Sequence, residues 1–200
     1  IYPTEKHQLQ RYLSMMQNGR MSITYKRNPN VPYGRSNPAN ALGLFPIRRE
    51  IRHTLAPNFV DIDVKNCHPE MLNQLCISEG ILHDRLDLYV KFRQDHFDEV
   101  MKYYGCIEEH AKIIFIMYSY GGGFSKWVEK HKIKPENCHP DVVVSGAIIE
   151  IDTLIKFRLS MRIIHQHVEK ANPVLCGIVR ALKEERGQSN YNLAGSVCSF

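Results

Sequence analysis

The chain has 200 residues, 44% of them hydrophobic and 24% charged, with a formal net charge of +5. That composition belongs to a globular chain long enough to bury a core, and it excludes disorder as the main state. The longest apolar run, Ile113 to Tyr118, falls far short of the ~20 residues that a membrane-spanning helix needs, so no membrane partner is expected. The charge is uneven: nine Lys/Arg face two Glu up to residue 60, and seventeen Lys/Arg face nineteen acids after it. A basic N-terminal third suits a polyanion-binding surface, and it equally suits solvated loops. Six cysteines with no CxxC pair point to free thiols in a reducing, intracellular compartment. The chain starts on Ile1, carries no basic-then-apolar leader, and reads as a piece of something longer.

In chain order, Leu9, Tyr12, Leu13 and Met16 recur at helical spacing and predict a helix over 5–17, with Thr4 as its N-cap and Gly19 as its stop. Met21 to Lys26 alternates as a strand does. Residues 27–46 hold four prolines and four asparagines, the composition of an ordered loop or of a tract draped over a partner. Phe59 to Val64 (FVDIDV) predicts a strand, and Pro69 opens a helix running to about Ser78. Helices are expected over 83–103, 107–119 and 124–132, then a long one from Pro140 to Lys170, and another from Pro173 to about Arg186. Asn-Cys-His-Pro occurs at 66–69 and again at 137–140. The flanks do not correspond, and the spacing of Cys67/His68 from Cys138/His139 is unhelpful for zinc, so each Pro is read as a helix start.

Two segments carry chemistry. Period-2 alternation places Asp61 and Asp63 on one face of their strand, where two carboxylates repel unless a cation meets them; Mg²⁺ is such a cation, and a solvent-facing acidic edge is the plain alternative. Lys112, Ile116 and Tyr120 fall at i, i+4 and i+8, a stripe about 12 Å long on one helix face. Such a stripe can span a nucleoside triphosphate, and a core helix with a snorkelling Lys has the same pattern.

Taken together the segments say more. Lys112, seven residues and then Tyr120-Gly121 resemble motif B of the family A DNA polymerases. Asp63-Val64-Lys65-Asn66-Cys67-His68 is similar to their motif A. Gly34-Arg35, Pro38, Leu42, Pro46, Arg48 and Ile51-Arg52 resemble the tract that lies along primer and template. Glu185-Arg186, Asn190 and Gly195-Ser196 resemble the segment on the minor-groove side of the primer terminus. The four blocks stand in the family's order over residues 34–200. The Asn-x-His-Pro form of motif A is most similar to the transposon- and virus-encoded branch related to single-subunit phage RNA polymerases.

The resemblance implies an α+β chain, a partial right-hand polymerase fold with antiparallel palm strands and mainly helical fingers. Residues 1–80 are expected to hold part of the palm, 81–172 the fingers, and 173–200 a return to the palm that stops before motif C. It implies template-directed nucleotidyl transfer from dNTPs onto a primer, organised by two Mg²⁺ about 3.5–4 Å apart. Asp63 is the implied metal ligand shared by the two ions, with Asp61 the second-choice carboxylate. Lys112 neutralises the triphosphate, Ile116 takes the family's aromatic position with Phe115 one place off, and Tyr120 packs by the nascent base pair. Arg35, Arg48, Arg52, Arg186 and Asn190 are the implied contacts to primer–template DNA. His68, where DNA polymerases of the family have Glu, is bulky enough to exclude a 2′-hydroxyl and thereby selects deoxyribonucleotides.

This sequence departs from the pattern in several places. Glu108 stands where the family has a triphosphate-binding Arg, which leaves His110 as the nearest alternative donor; Ala194 replaces a Gln, and the motif C Asp lies beyond Phe200. The isolated chain is therefore expected not to extend primers, although the parent chain, with a helicase or primase domain among its expected partners, does. An RNA polymerase or primase on the same fold, and an inactive nucleic-acid-binding module, are the competing functions.

Overall fold

The computed structural model describes residues 3–27, 36–39, 47–55, 58, 60, 66–188, 191 and 193–197. Two compact units emerge, one of residues 1–63 with Phe200 and one of residues 64–199.

In the first unit, α1 (Pro3–Ser14) begins ahead of Thr4, the expected cap, and is followed by a tight Gln17–Arg20 turn. Asn18 and Gly19 both take positive φ there (51° and 72°), the geometry that an Asn-Gly pair supplies at least cost. The expected 21–26 strand shrinks to β1 (Tyr25–Lys26), which pairs antiparallel with β2 (Asn37–Pro38) inside the supposed loop tract. Pro38 is tolerated because a two-stranded ribbon consists only of edges. Then comes α2 (Arg49–Leu55). The expected Phe59–Val64 strand, with Asp61 and Asp63, lies outside the described residues except for Val60, which is in no regular element.

The second unit is helical. It runs α3 (Cys67–Glu79), α4 (Asp84–Lys91), α5 (Arg93–Tyr104), α6 (Glu108–Ser119), α7 (Phe124–His131), α8 (Asp152–Ala171), α9 (Pro173–Glu185) and α10 (Leu193–Val197). Asn66 enters α3 at φ 59°, a left-handed value that Asn tolerates. Pro69 then falls in the first turn, where no N–H is needed. The single helix expected over 83–103 breaks at Phe92 (φ −120°, ψ 40°), with no glycine or proline to mark it. The helix expected from Pro140 needs a larger correction. Residues 140–142 form a 3₁₀ turn, and β3 (Val143–Val144) and β4 (Ala147–Ile148) make a hairpin, so α8 starts only at Asp152. A run of three valines favours strand, and Ser145-Gly146, both at positive φ (50° and 79°), closes a two-residue turn. The two Asn-Cys-His-Pro segments differ accordingly, one opening α3 and the other the 3₁₀ turn. Among the described residues no group of three or more His, Cys, Asp or Glu is arranged to hold a metal.

The fold is thus mixed α and β, mostly helical, with two small antiparallel sheets among the described residues. α8 is the central helix, packed by α4, α6, α9 and α10, while α5 and α7 flank α6. Leu154, Phe157, Met161, Ile164 and Val168 form its buried stripe, spaced three and four apart. Around it close Trp127, Tyr89, Tyr104, Phe97 and Phe115, each at most 2% exposed. Tyr104 ties the hairpin to this core: its hydroxyl donates to the Ile149 carbonyl (3.1 Å) and accepts from the Ile151 N–H (2.9 Å). No helix is long and apolar enough to cross a membrane among the described residues.

Candidate functional site

α6 is apolar over most of its circumference, and its one open face decides what it can bind. Ala111, Ile114, Phe115, Tyr118 and Ser119 are buried, so the core takes one side. Lys112 and Ile116, one turn apart, stay exposed, and Tyr120, just past the helix, is half-buried at the end of the same stripe. Lys112 forms no ion pair or hydrogen bond with the described residues, which leaves its ammonium available to a ligand. Glu108 and Glu109 occupy the first turn, where carboxylates complement the positive end of the helix dipole; this gives Glu108 a structural role at the position where an arginine was expected.

The far end of the stripe meets α3. Tyr120 hydroxyl and His68 Nδ1 share a hydrogen bond across 52 residues of sequence, with the two rings edge to face at 5.7 Å. The start of α3 and the end of α6 are therefore joined through two side chains that the sequence singled out. Gly195 of α10 comes against Tyr120 from another direction. A Cβ added there falls 1.9 Å from the Tyr120 carbonyl oxygen, an approach open to glycine alone. The Gly195-Ser196 block thus packs on the block that ends in Tyr120-Gly121.

Two of the expected alternatives fail. His110 lies about 160° round the axis from Lys112, two residues along a 3.6-residue helix. It packs against His131 of α7, the rings tilted at 42° with centroids 4.2 Å apart, and is not a donor for the stripe. Phe115, the aromatic one place off, is buried against Tyr89 at 4.6 Å. Ile116 therefore stays as the exposed apolar member.

Three contacts that fix the end of α6 were not anticipated. Tyr118 donates its hydroxyl to Glu150, which also holds Arg158 through two bonds of 3.1 and 2.9 Å. Burial and the neighbouring carboxylate raise the Tyr118 pKa, and the Glu150 bonds raise that of Arg158. His165 Nε2 donates to the Ser119 carbonyl (2.9 Å), and burial depresses its pKa so that the ring stays neutral. These pairs are 46 and 32 residues apart or join one helix to a hairpin end, and no local pattern could have flagged them.

The remaining candidates divide by unit. Asp61, Asp63, Arg35 and Asn190 lie outside the described residues. In the first unit Arg48 pairs with Glu5 (2.9 Å) and Glu50 (3.5 Å), with Arg52 one turn on along α2. In the second, Arg186 is exposed at the end of α9.

A putative helicase, V13, of the Sputnik virophage is 34% identical over 65 residues, 32% of this chain and 8% of that protein. The chain matches only a small part of this viral relative's length. No protein-family model and no solved structure matches it.

Proposed function

We propose that this chain is part of a template-directed DNA polymerase, and that the Lys112–Ile116–Tyr120 face with His68 is its nucleotide site. The observation that carries this reading is the joining of His68 to Tyr120, which brings two separate sequence blocks together beside an open stripe whose other end holds an ammonium without a partner among the described residues. Lys112 binds the triphosphate of an incoming dNTP, Ile116 contacts the apolar part of the nucleotide, and Tyr120 packs by the base pair. His68, fixed by Tyr120, stands where the sugar passes and sterically disfavours a 2′-hydroxyl. Asp63, with Asp61, is the carboxylate set assigned to Mg²⁺, which in such enzymes organises in-line attack on the α-phosphate. Primer–template DNA is the partner assigned to Arg35, Arg48, Arg52, Arg186 and Asn190.

The virophage relative's name supports placing a helicase domain elsewhere in the parent chain. These 200 residues contain no Gly-x4-Gly-Lys-Ser/Thr phosphate loop of the kind used by NTP-driven motors, so the chain itself is not assigned that activity. The test is equilibrium binding of a fluorescent dNTP to this chain. Lys112→Ala is expected to weaken binding about tenfold or more, the worth of a charge-assisted contact, and to leave affinity for the nucleoside unchanged. Equal affinity of wild type and variant for the dNTP refutes the assignment.

A further inference from the structure

On the side of α6 turned away from the stripe there is a second space. Tyr118 lies about 160° round the axis from Ile116, and it forms one wall of a cavity of about 440 Å³, within the range of small-ligand sites. The opposite wall is one face of α8, with Arg158, Arg162 and His165. The floor is the Gly121–Gly123 turn, whose backbone lines the cavity, and α7 starts from it. Gly123 is extended (φ −120°, ψ 155°) and supplies no side-chain cap, so the first N–H groups of α7 have no partner within the helix. An added Cβ at Gly123 meets no atom within 4 Å.

The charges in this cavity do not cancel. Glu150 is satisfied within the wall by Arg158 and Tyr118, and His165 is neutral and engaged with Ser119. Arg162 is exposed on α8 and forms no ion pair or hydrogen bond with the described residues. Among the charged residues that line the cavity, it is the one without a partner among the described residues.

We propose that this cavity binds a phosphate group, held by Arg162 together with the Gly123–Ser125 backbone, the phosphate coming from a passing single-stranded nucleic acid or from free pyrophosphate. A strand source is geometrically direct. The two faces of α6 are about 10 Å apart across the helix, a distance of about three stacked nucleotides, and the Tyr120–Gly123 turn lies between them. The cavity uses none of the residues assigned to the dNTP, so the two sites stand or fall separately.

The experiment uses the 200-residue chain with labelled oligothymidylate, followed by fluorescence anisotropy, and with pyrophosphate, followed by calorimetry. Arg162→Gln is expected to weaken the bound ligand about tenfold. If the ligand is the strand, the slope of log K against log salt falls by about 0.7, one phosphate contact. Gly123→Asp serves as the second variant, because Asp is a favoured N-cap in the conformation Gly123 already has, so melting temperature holds or rises while its carboxylate repels the phosphate. Oligothymidylate binding that both variants weaken supports a strand; pyrophosphate binding that both weaken, with no oligothymidylate bound, supports the free anion. Binding of neither ligand, or binding untouched by both variants, overturns the site. Fluorescent dNTP binding stays unchanged in both variants if the nucleotide face is separate, and its loss in them refutes that separation.

Discussion

Gly195→Ala adds one methyl group at a close backbone approach between α10 and the end of α6. The new Cβ lands 1.9 Å from the Tyr120 carbonyl oxygen, 2.4 Å from its carbon and 2.9 Å from its Cα. Relief to an ordinary contact near 3.4 Å requires α10 and the end of α6 to part by about 1.5 Å, and both sides are backbone, so no side chain can rotate away. Overpacking of this kind costs about 3 kcal/mol, the upper part of its usual range, which lowers the melting temperature of a chain this size by about 6–12 °C. The displacement falls on Tyr120, so the hydrogen bond to His68 is lost and dNTP affinity drops with it. Gly177→Ala is the matched control. Gly177 sits within α9 with nothing within 4 Å of an added Cβ, so the same substitution stabilises by about 0.5–1 kcal/mol through helix propensity. Thermal unfolding of the two variants measures both. A Gly195→Ala protein that melts with the wild type refutes the packing of α10 against Tyr120.

Glu150→Gln removes the charge that holds Arg158 while leaving Tyr118 an acceptor; with side chains 25% and 13% exposed, the loss is expected at about 1–3 kcal/mol in urea unfolding, and an Arg158→Gln background should abolish most of it. The pH dependence has a fixed sign. Burial depresses the His165 and His131 pKa values in the folded state, so the unfolded chain binds more protons as pH falls below about 6.5, and stability present above that value is lost on acidification. Urea midpoints between neutral and mildly acidic pH should decline, and His165→Gln should flatten the decline by at most ~1.4 kcal/mol per pH unit; a midpoint that rises on acidification contradicts the neutral ring. In the full-length protein, His68→Gly should lower the ratio of dNTP to rNTP incorporation while sparing dNTP use, and an unchanged ratio removes His68 as the gate.

How much was legible in the sequence depended on whether the cause was local. Pro69 and Pro173 announced their helices because proline suits a first turn, and the Lys112–Ile116–Tyr120 stripe followed from helical period alone. The hairpin at 143–148 is hidden when Pro140 is read as the start of one long helix; the Ser145-Gly146 turn is the available signal. The closeness of His68 to Tyr120 was implied only by resemblance, since period cannot bring together residues 52 apart. Glu150, His165 and the cavity beside Arg162 had no local signature at all, because tertiary packing alone assembles them.

Primer extension, assayed on the protein with whatever further segments its open reading frame encodes, tests the central claim most directly. With Mg²⁺, a primed template and dNTPs, the wild type is predicted to extend the primer, Asp63→Asn to abolish extension, and Lys112→Ala to raise the KM for dNTP about tenfold or more. A wild-type protein that leaves the primer unextended, or an Asp63→Asn variant that extends it at the wild-type rate, contradicts the assignment of this chain to a DNA polymerase.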